Sequence, residues 1–220
     1  CAMHLSRLAE DFIIFNSEAF SFVEFSDKVL TGSSIMPQKR NPDPAELIRG
    51  KTAINYGKLN SMLTIMKGLP ISYYKDLQDD KALVFDSYDT LKDTVSMAIE
   101  LITNLNTKKN NMKSMAQKGY TTATDFADYL VKKKNLPFRE AYVTSSKLVN
   151  YAERKKVRLD QLSVGEINKF IKKFDIDNIK MFDVVSSMNS KTSYGGTASK
   201  NIKKMIKKYK SEIKWVKHYL

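Results

Sequence analysis

Two long stretches, 45–67 and 79–109, repeat apolar residues at the period of an α-helix, and few folds other than helical ones can accommodate them. In the first, Leu47, Ile48, Ala53, Ile54, Leu59, Leu63 and Met66 share a broad face. In the second, Leu83, Val84, Tyr88, Leu91, Val95, Ala98, Ile99 and Ile102 do so. Helices this long with such broad apolar faces predict a bundle, of a kind that subunits can share. A shorter stripe, Leu5, Leu8, Phe12 and Phe15, predicts an amphipathic helix over 2–16. Gly68-Leu69-Pro70 is a stop signal after 45–67. The run Phe20, Phe22, Val23 and Phe25 is too short for a period, and 18–30 reads as irregular or briefly helical. With 8 glycines and 5 prolines in 220 residues, nothing suggests a sandwich of short strands. No strand pattern and no internal repeat is visible, so the fold class is all-α.

The polar run Asn104–Asn111 places a domain boundary near Met112. Residues 1–111 then form part of a long helical bundle, and 112–220 a small helical C-terminal domain. In the latter, Thr124-Asp125 is expected to cap a helix over 125–134 that ends at Asn135-Leu136-Pro137. Helices follow over 138–155, over 164–173 behind the capping-box pattern Ser163…Glu166, and over 181–189. Residues 193–197 are a glycine break. The tail, 198–220, carries Ile202, Met205, Ile206, Tyr209, Ile213 and Val216 on one side. Lys203, Lys204, Lys207, Lys208, Lys210, Lys214 and Lys217 mostly lie off it. A membrane-surface helix has this pattern, but a packed terminal helix with a lysine-rich outer face is the simpler reading.

The net charge is +13, from 37 basic and 24 acidic residues. The excess is nearly all lysine, spread along the chain, without zinc-ligand spacing or an RNA-binding aromatic signature. It is read as a solvated surface with a general attraction for anions, not as a nucleic-acid interface. The single cysteine, Cys1, rules out an internal disulfide framework and fits a reducing cytoplasm. No stretch approaches the ~18–20 apolar residues needed to span a bilayer, so no membrane partner is expected. The sequence lacks an initiator Met and opens as if in mid-helix, so it is expected to begin inside a longer protein. No metal or cofactor site is apparent.

Chemistry concentrates in the loop 31–44. The string Gly32-Ser33-Ser34-Ile35-Met36-Pro37-Gln38-Lys39-Arg40-Asn41-Pro42 combines hydroxyls, a cation, an amide donor and exposed backbone N–H groups. It runs into a helix near Ala45, whose first turn carries partial positive charge. Such a loop can hold a carboxylate and stabilise charge developing on it.

The string also resembles the signature of the fumarase/aspartase superfamily, whose members eliminate fumarate from substituted succinates. Within it, 42–50 and Leu69–Lys81, above all the run Lys75-Asp76-Leu77-Gln78-Asp79-Asp80-Lys81, resemble the argininosuccinate lyase family. So do His4–Asp11, Thr124–Leu130, Pro137–Ala141 and Thr192–Thr197. The resemblance covers almost the whole chain and implies the C-terminal half of an all-helical lyase that cleaves argininosuccinate to arginine and fumarate by β-elimination, in arginine biosynthesis, without a cofactor. It further implies a homotetramer with active sites assembled from three subunits.

By that resemblance Ser33 is the catalytic base, with Lys39 and Asn41 as the motif's lysine and asparagine. Glu46 is the glutamate that pairs with an active-site histidine. Tyr73, Gln78 and Lys81, together with Asn41, bind substrate. His4 and His218 are the only histidines, and neither matches the catalytic histidine region, so this chain alone is expected to be inactive. Two positions depart from the family pattern: Tyr74 stands where asparagine is common, and Tyr142 where histidine is usual. Alternative readings are a sister lyase such as adenylosuccinate lyase, against which the 75–81 run argues, and a non-catalytic structural homologue. A basic RNA-binding helical module is a remote fourth.

Overall fold

In a computed structural model the backbone is described for residues 1–219, and side-chain surroundings for residues 1–214. The chain divides into two compact units, Cys1–Met112 and Lys113–Leu220.

In the first unit three helices, α1 (Ala2–Asn16), α2 (Asp43–Ile65) and α3 (Asp80–Thr103), pack against one another. Their seam is built from small residues: Ala9, Ala45 and Ala98 are almost wholly buried, beside Ile48 and Leu101. Val23, Phe25 and Val29 close one end of this core, and Phe12 meets Phe25 edge-on at 5.7 Å. α2 opens with Pro42 at its cap and Pro44 just inside, where a missing N–H costs nothing. It ends at Ile65, and Gly68 follows with φ +62°, a conformation that favours glycine.

Short strands are present, contrary to expectation. β1 (Val23–Phe25) pairs antiparallel with β4 (Leu105–Thr107), with Val23 opposite Thr107. β2 (Thr31–Gly32) pairs with β3 (Arg40–Asn41), with Thr31 opposite Asn41 and Gly32 opposite Arg40. Strands of two or three residues are too short to carry an alternating pattern. The helix expected over 79–109 therefore stops at Thr103, because Leu105–Thr107 is recruited to β1. Among the described residues, only one narrow seam of α2 and α3 is covered. Leu59, Leu63, Phe85, Tyr88 and Ile99 remain more than half exposed.

The second unit follows α4 (Lys109–Ala116), which crosses the boundary, and comprises α5 (Ala123–Lys134), α6 (Phe138–Lys155), α7 (Val164–Ile167), α8 (Val184–Ser190) and α9 (Ser199–Tyr219). Phe126, Leu130, Leu148, Leu162 and Ile167 lie at its centre. Phe126 touches Phe182 and Phe174, with ring centroids at 5.6 and 6.1 Å. α6 spans the expected residues. The Ser163–Glu166 capping box is formed, with Ser163 N–H donating to Glu166 at 3.0 Å.

Three expectations need correction here. α5 is preceded by Thr122 at its cap, without a side-chain cap bond. Asp125 instead accepts the Ser187 hydroxyl at 2.5 Å and pairs with Lys191. α7 ends at Ile167 rather than 173, because Asn168 Oδ1 accepts the Phe174 N–H at 2.8 Å and Lys173 turns with φ +59°. The 181–189 helix starts only at Val184, after a 3-10 stretch (Ile176–Phe182), where Asp183 accepts the Ser186 N–H.

The glycine break packs tightly. A Cβ on Gly196 would meet the Lys191 carbonyl oxygen at 2.3 Å. Along α9, Ile202, Met205, Ile206, Tyr209 and Ile213 are exposed, so the expected packing of this stripe does not occur among the described residues. The side chains of Val216 and Lys217 lie outside the described residues.

Two outcomes follow from the second unit. Phe126→Ala should lower its stability by about 3–5 kcal/mol in urea unfolding; a loss below about 1 kcal/mol would show that these rings do not carry the core. Lys155, the Ser163 backbone N–H and the Tyr151 hydroxyl hold the Glu166 carboxyl down to about 2. A carboxyl depressed on folding stabilises the protein above its ordinary value and loses that contribution as pH falls through the depressed one. Melting measured between pH 4.5 and pH 2 should therefore fall less steeply in Glu166→Gln than in the wild type.

Candidate active site

The signature residues sit at the tip of the β2–β3 hairpin, an exposed loop whose flanks are buried. Val29 lies before it, and Pro42 and Ala45 after it. Ser33 Oγ accepts the backbone N–H groups of Ile35 and Met36, each at 3.2 Å. Lys39 N–H donates to the Met36 carbonyl at 3.1 Å and tightens the turn. Two N–H donors on one hydroxyl oxygen favour its alkoxide over its neutral form, as any donor favours the charged form of an acid. Sequence reasoning invoked loop amides in general. These two leave no side-chain signal, and only the serine at the start of the turn points to them.

Lys39 and Asn41 line one cleft of about 590 Å³, together with Met36, Gln38 and Arg40. The far wall comes from Asn16, Ser17 and Glu18 at the end of α1, and from Glu24 and Lys108 on or beside the β1–β4 pair. Lys108 lies 3.4 Å from Glu24. Sequence reasoning passed over both because they are distant in sequence and belong to no motif. Ser33 and Glu46 are not on this cleft's wall. Glu46, in the first turn of α2, is exposed. Its charge reaches Arg49, whose basicity is raised mainly by its bond to Glu10 and less by Glu46. His4 is exposed, and the side chain of His218 lies outside the described residues.

The residues expected to bind substrate lie elsewhere. Ser72 turns the chain with φ +104°, unusual for a residue with a side chain, and Tyr73 follows, 58% exposed. Gln78 ends the 3-10 turn Lys75–Gln78, and Lys81 lies in the first turn of α3. The Lys81 ammonium donates to Asp80 at 2.7 Å and to the Leu77 carbonyl at 2.8 Å. Its pKa is raised chiefly by the Asp80 hydrogen bond, so it is a firm cation whose charge is folded back on its own helix start. Tyr73, Gln78 and Lys81 thus form a group beyond the C-terminal end of α2, while Ser33, Lys39 and Asn41 precede its N-terminal end. α2 has 23 residues, which at the helical rise separates its ends by about 33 Å.

Residues 120–189 match a family model described as argininosuccinate lyase C-terminal, and residues 1–55 match one described as lyase. The argininosuccinate lyase of Pelagibacter ubique is 55% identical over 210 residues, 96% of this chain and 46% of that protein. That of Ehrlichia canis is 45% identical over 217 residues, 99% of this chain and 46% of that protein. Among solved structures, an EDDS lyase variant with bound fumarate superimposes with a TM-score of 0.86 over 99% of this chain and 45% of that one, at 21% identity. The chain therefore spans about half the length of the relatives it matches. It belongs to the argininosuccinate lyase family, within the all-helical fumarase/aspartase superfamily.

Proposed function

We propose that the protein is a lyase that cleaves argininosuccinate into arginine and fumarate, and that this chain supplies its proton-abstracting loop. The observation that carries the reading is Ser33, at the signature position, with two amide N–H groups on its oxygen. A neutral serine is a poor base at pH 7, and it becomes one only where its alkoxide is stabilised. In the proposed step Ser33 Oγ takes the proton from the carbon beside a carboxylate. The electron pair passes into that carboxylate as an aci-dianion, then forms the fumarate double bond as the C–N bond breaks. The departing guanidino nitrogen keeps the bonding pair and is protonated. Lys39 and Asn41 meet the dianion, and preorganised donors of this kind can each contribute about 3–4 kcal/mol. Glu46 raises the basicity of a histidine. Tyr73, Gln78 and Lys81 bind substrate carboxylate or guanidinium, with Lys81 exchanging Asp80 for a substrate carboxylate.

The reading extends to a homotetramer with shared active sites, placed in the cytoplasm. The exposed apolar faces of α2 and α3 support assembly, since faces of this size on long helices mark contact surfaces. The distance along α2 supports sharing. One small substrate cannot touch both residue groups of a single copy, but it can meet the loop of one copy and the Tyr73–Lys81 group of another.

In the whole gene product, Ser33→Ala should cut turnover by several orders of magnitude with little change in substrate binding. Fumarate release followed by ultraviolet absorbance checks this, and near-normal turnover would move the base elsewhere, with Ser34 the first suspect. Copies carrying Ser33→Ala, co-expressed with copies carrying Lys81→Met, should regain activity that neither variant shows alone. Mixed oligomers as inactive as their parents would show that each site draws on one copy.

A further inference from the structure

Arg40 lies between Lys39 and Asn41, but its side chain is bound away from the loop. Its guanidinium pairs with Asp27, the first residue of the 3-10 turn Asp27–Val29. That turn is seated in the core. Phe25 and Val29 on either side of Asp27 are buried. Between them Ser26 donates its N–H to the Asn104 carbonyl at 3.0 Å and its hydroxyl to Asn104 Oδ1 at 2.9 Å. Arg40 also stands opposite Gly32 in the two-pair ladder, one residue from Ser33. Among the described residues, its bond to Asp27 is the only side-chain hydrogen bond from residues 33–40 that leaves the loop.

We propose that Asp27 and Arg40 are positioning residues: a clasp that sets the pose of the 33–41 loop, and with it the relation of Ser33 to Lys39 and Asn41. The inference rests on reading this loop as the proton-abstracting part of a lyase. Two pairs of strand residues cannot hold a seven-residue tip by themselves, and the buried Val29 and the start of α2 fix only its flanks. The clasp sits on β3, which carries Asn41 and directly follows Lys39, and through the ladder it reaches the residue before Ser33. Its side chains are 66% and 76% exposed, so it adds little to global stability and weakens with salt. Its effect is local. It biases the loop toward one pose, and catalysis depends on pose far more steeply than binding does.

The test uses the whole gene product with Asp27→Asn, Arg40→Met, Arg40→Lys and the exchanged pair Asp27→Arg with Arg40→Asp. Hydrogen exchange of the 33–41 amides, melting temperature, kcat and KM are measured for each. Asp27→Asn and Arg40→Met should speed loop exchange by about 3–5-fold, the range open to an exposed ion pair. They should lower kcat by a similar factor, leave KM within about twofold and shift Tm by less than about 2 °C. Arg40→Lys should keep most of both properties, and the exchanged pair should restore them in part. About 0.5 M salt should loosen the wild-type loop and leave the Met variant unchanged. Unaltered loop exchange in both single variants overturns the clasp, as does a loosened loop with unchanged kcat. Exchange that rises equally throughout residues 1–112 assigns the pair a merely structural role and overturns the proposal too. A wild type without lyase activity sinks the functional reading, and the exchange data still decide whether the clasp exists.

Discussion

The contact on which the first unit depends is the close approach of three helices through alanines. Ala9, Ala45 and Ala98 occupy the seam where α1, α2 and α3 meet. A larger side chain at any of them would push two backbones apart, since interiors at native density have no room to absorb extra methylenes. Ala45 is also in the first turn of α2, directly after the signature loop. The seam therefore does two things at once: it holds the helices together and nails down one flank of the loop. Val29 nails down the other. A loop whose own side chains are nearly all solvated is thereby mounted on a rigid frame, the arrangement that lets a surface segment carry chemistry.

Electrostatics around the loop follow the same division between frame and tip. Around the tip, Arg49 pairs with Glu10, Lys108 with Glu24, and Arg40 of the loop itself with Asp27. At the tip, Lys39 has no carboxylate partner among the described residues and faces a cleft. Lys39 thus offers an unpaired cation to that cleft, while the Ser33 hydroxyl, off the cleft wall, accepts two N–H groups of its own turn. Lys81 is the contrasting case. Its ammonium has a partner in Asp80, so on the proposed function taking a substrate carboxylate would exchange one anion for another, a step with small net energy at an exposed position.

Much of this was legible in the sequence, for reasons that differ from residue to residue. α6 could be read because its eighteen residues repeat the apolar period several times between a proline and a lysine-rich end. The Ser163–Glu166 box could be read because both partners lie within one turn. The loop could be read because its residue types are individually costly and jointly specific. What escaped was short or non-local. β4 pairs with residues about eighty positions earlier, and three residues hold no period. α7 was cut short by an Asn168 side chain that competes with the helix for backbone groups, a choice that local propensity does not reveal. Asp125 looked like a cap and instead binds Ser187 and Lys191, partners supplied by the tertiary fold. The Asp27–Arg40 pair shows no pattern at all until the hairpin brings its members together.

The length of α2 constrains any account of the site more firmly than any single side chain. A helix is nearly inextensible, so its two ends cannot be brought toward each other by loop motion or by side-chain rotation. α3 runs back along α2, which puts Lys81 beside the C-terminal end of α2 and leaves the signature loop at the other. If both groups touch one substrate, the second must come from another molecule lying antiparallel to the first, and long helices with uncovered apolar faces are what such an arrangement packs together. The faces left exposed on α2 and α3 and the separation of the two residue groups then have one cause. On the proposed function, neighbouring copies complete the bundle, and the chemistry lies at the ends where those copies meet.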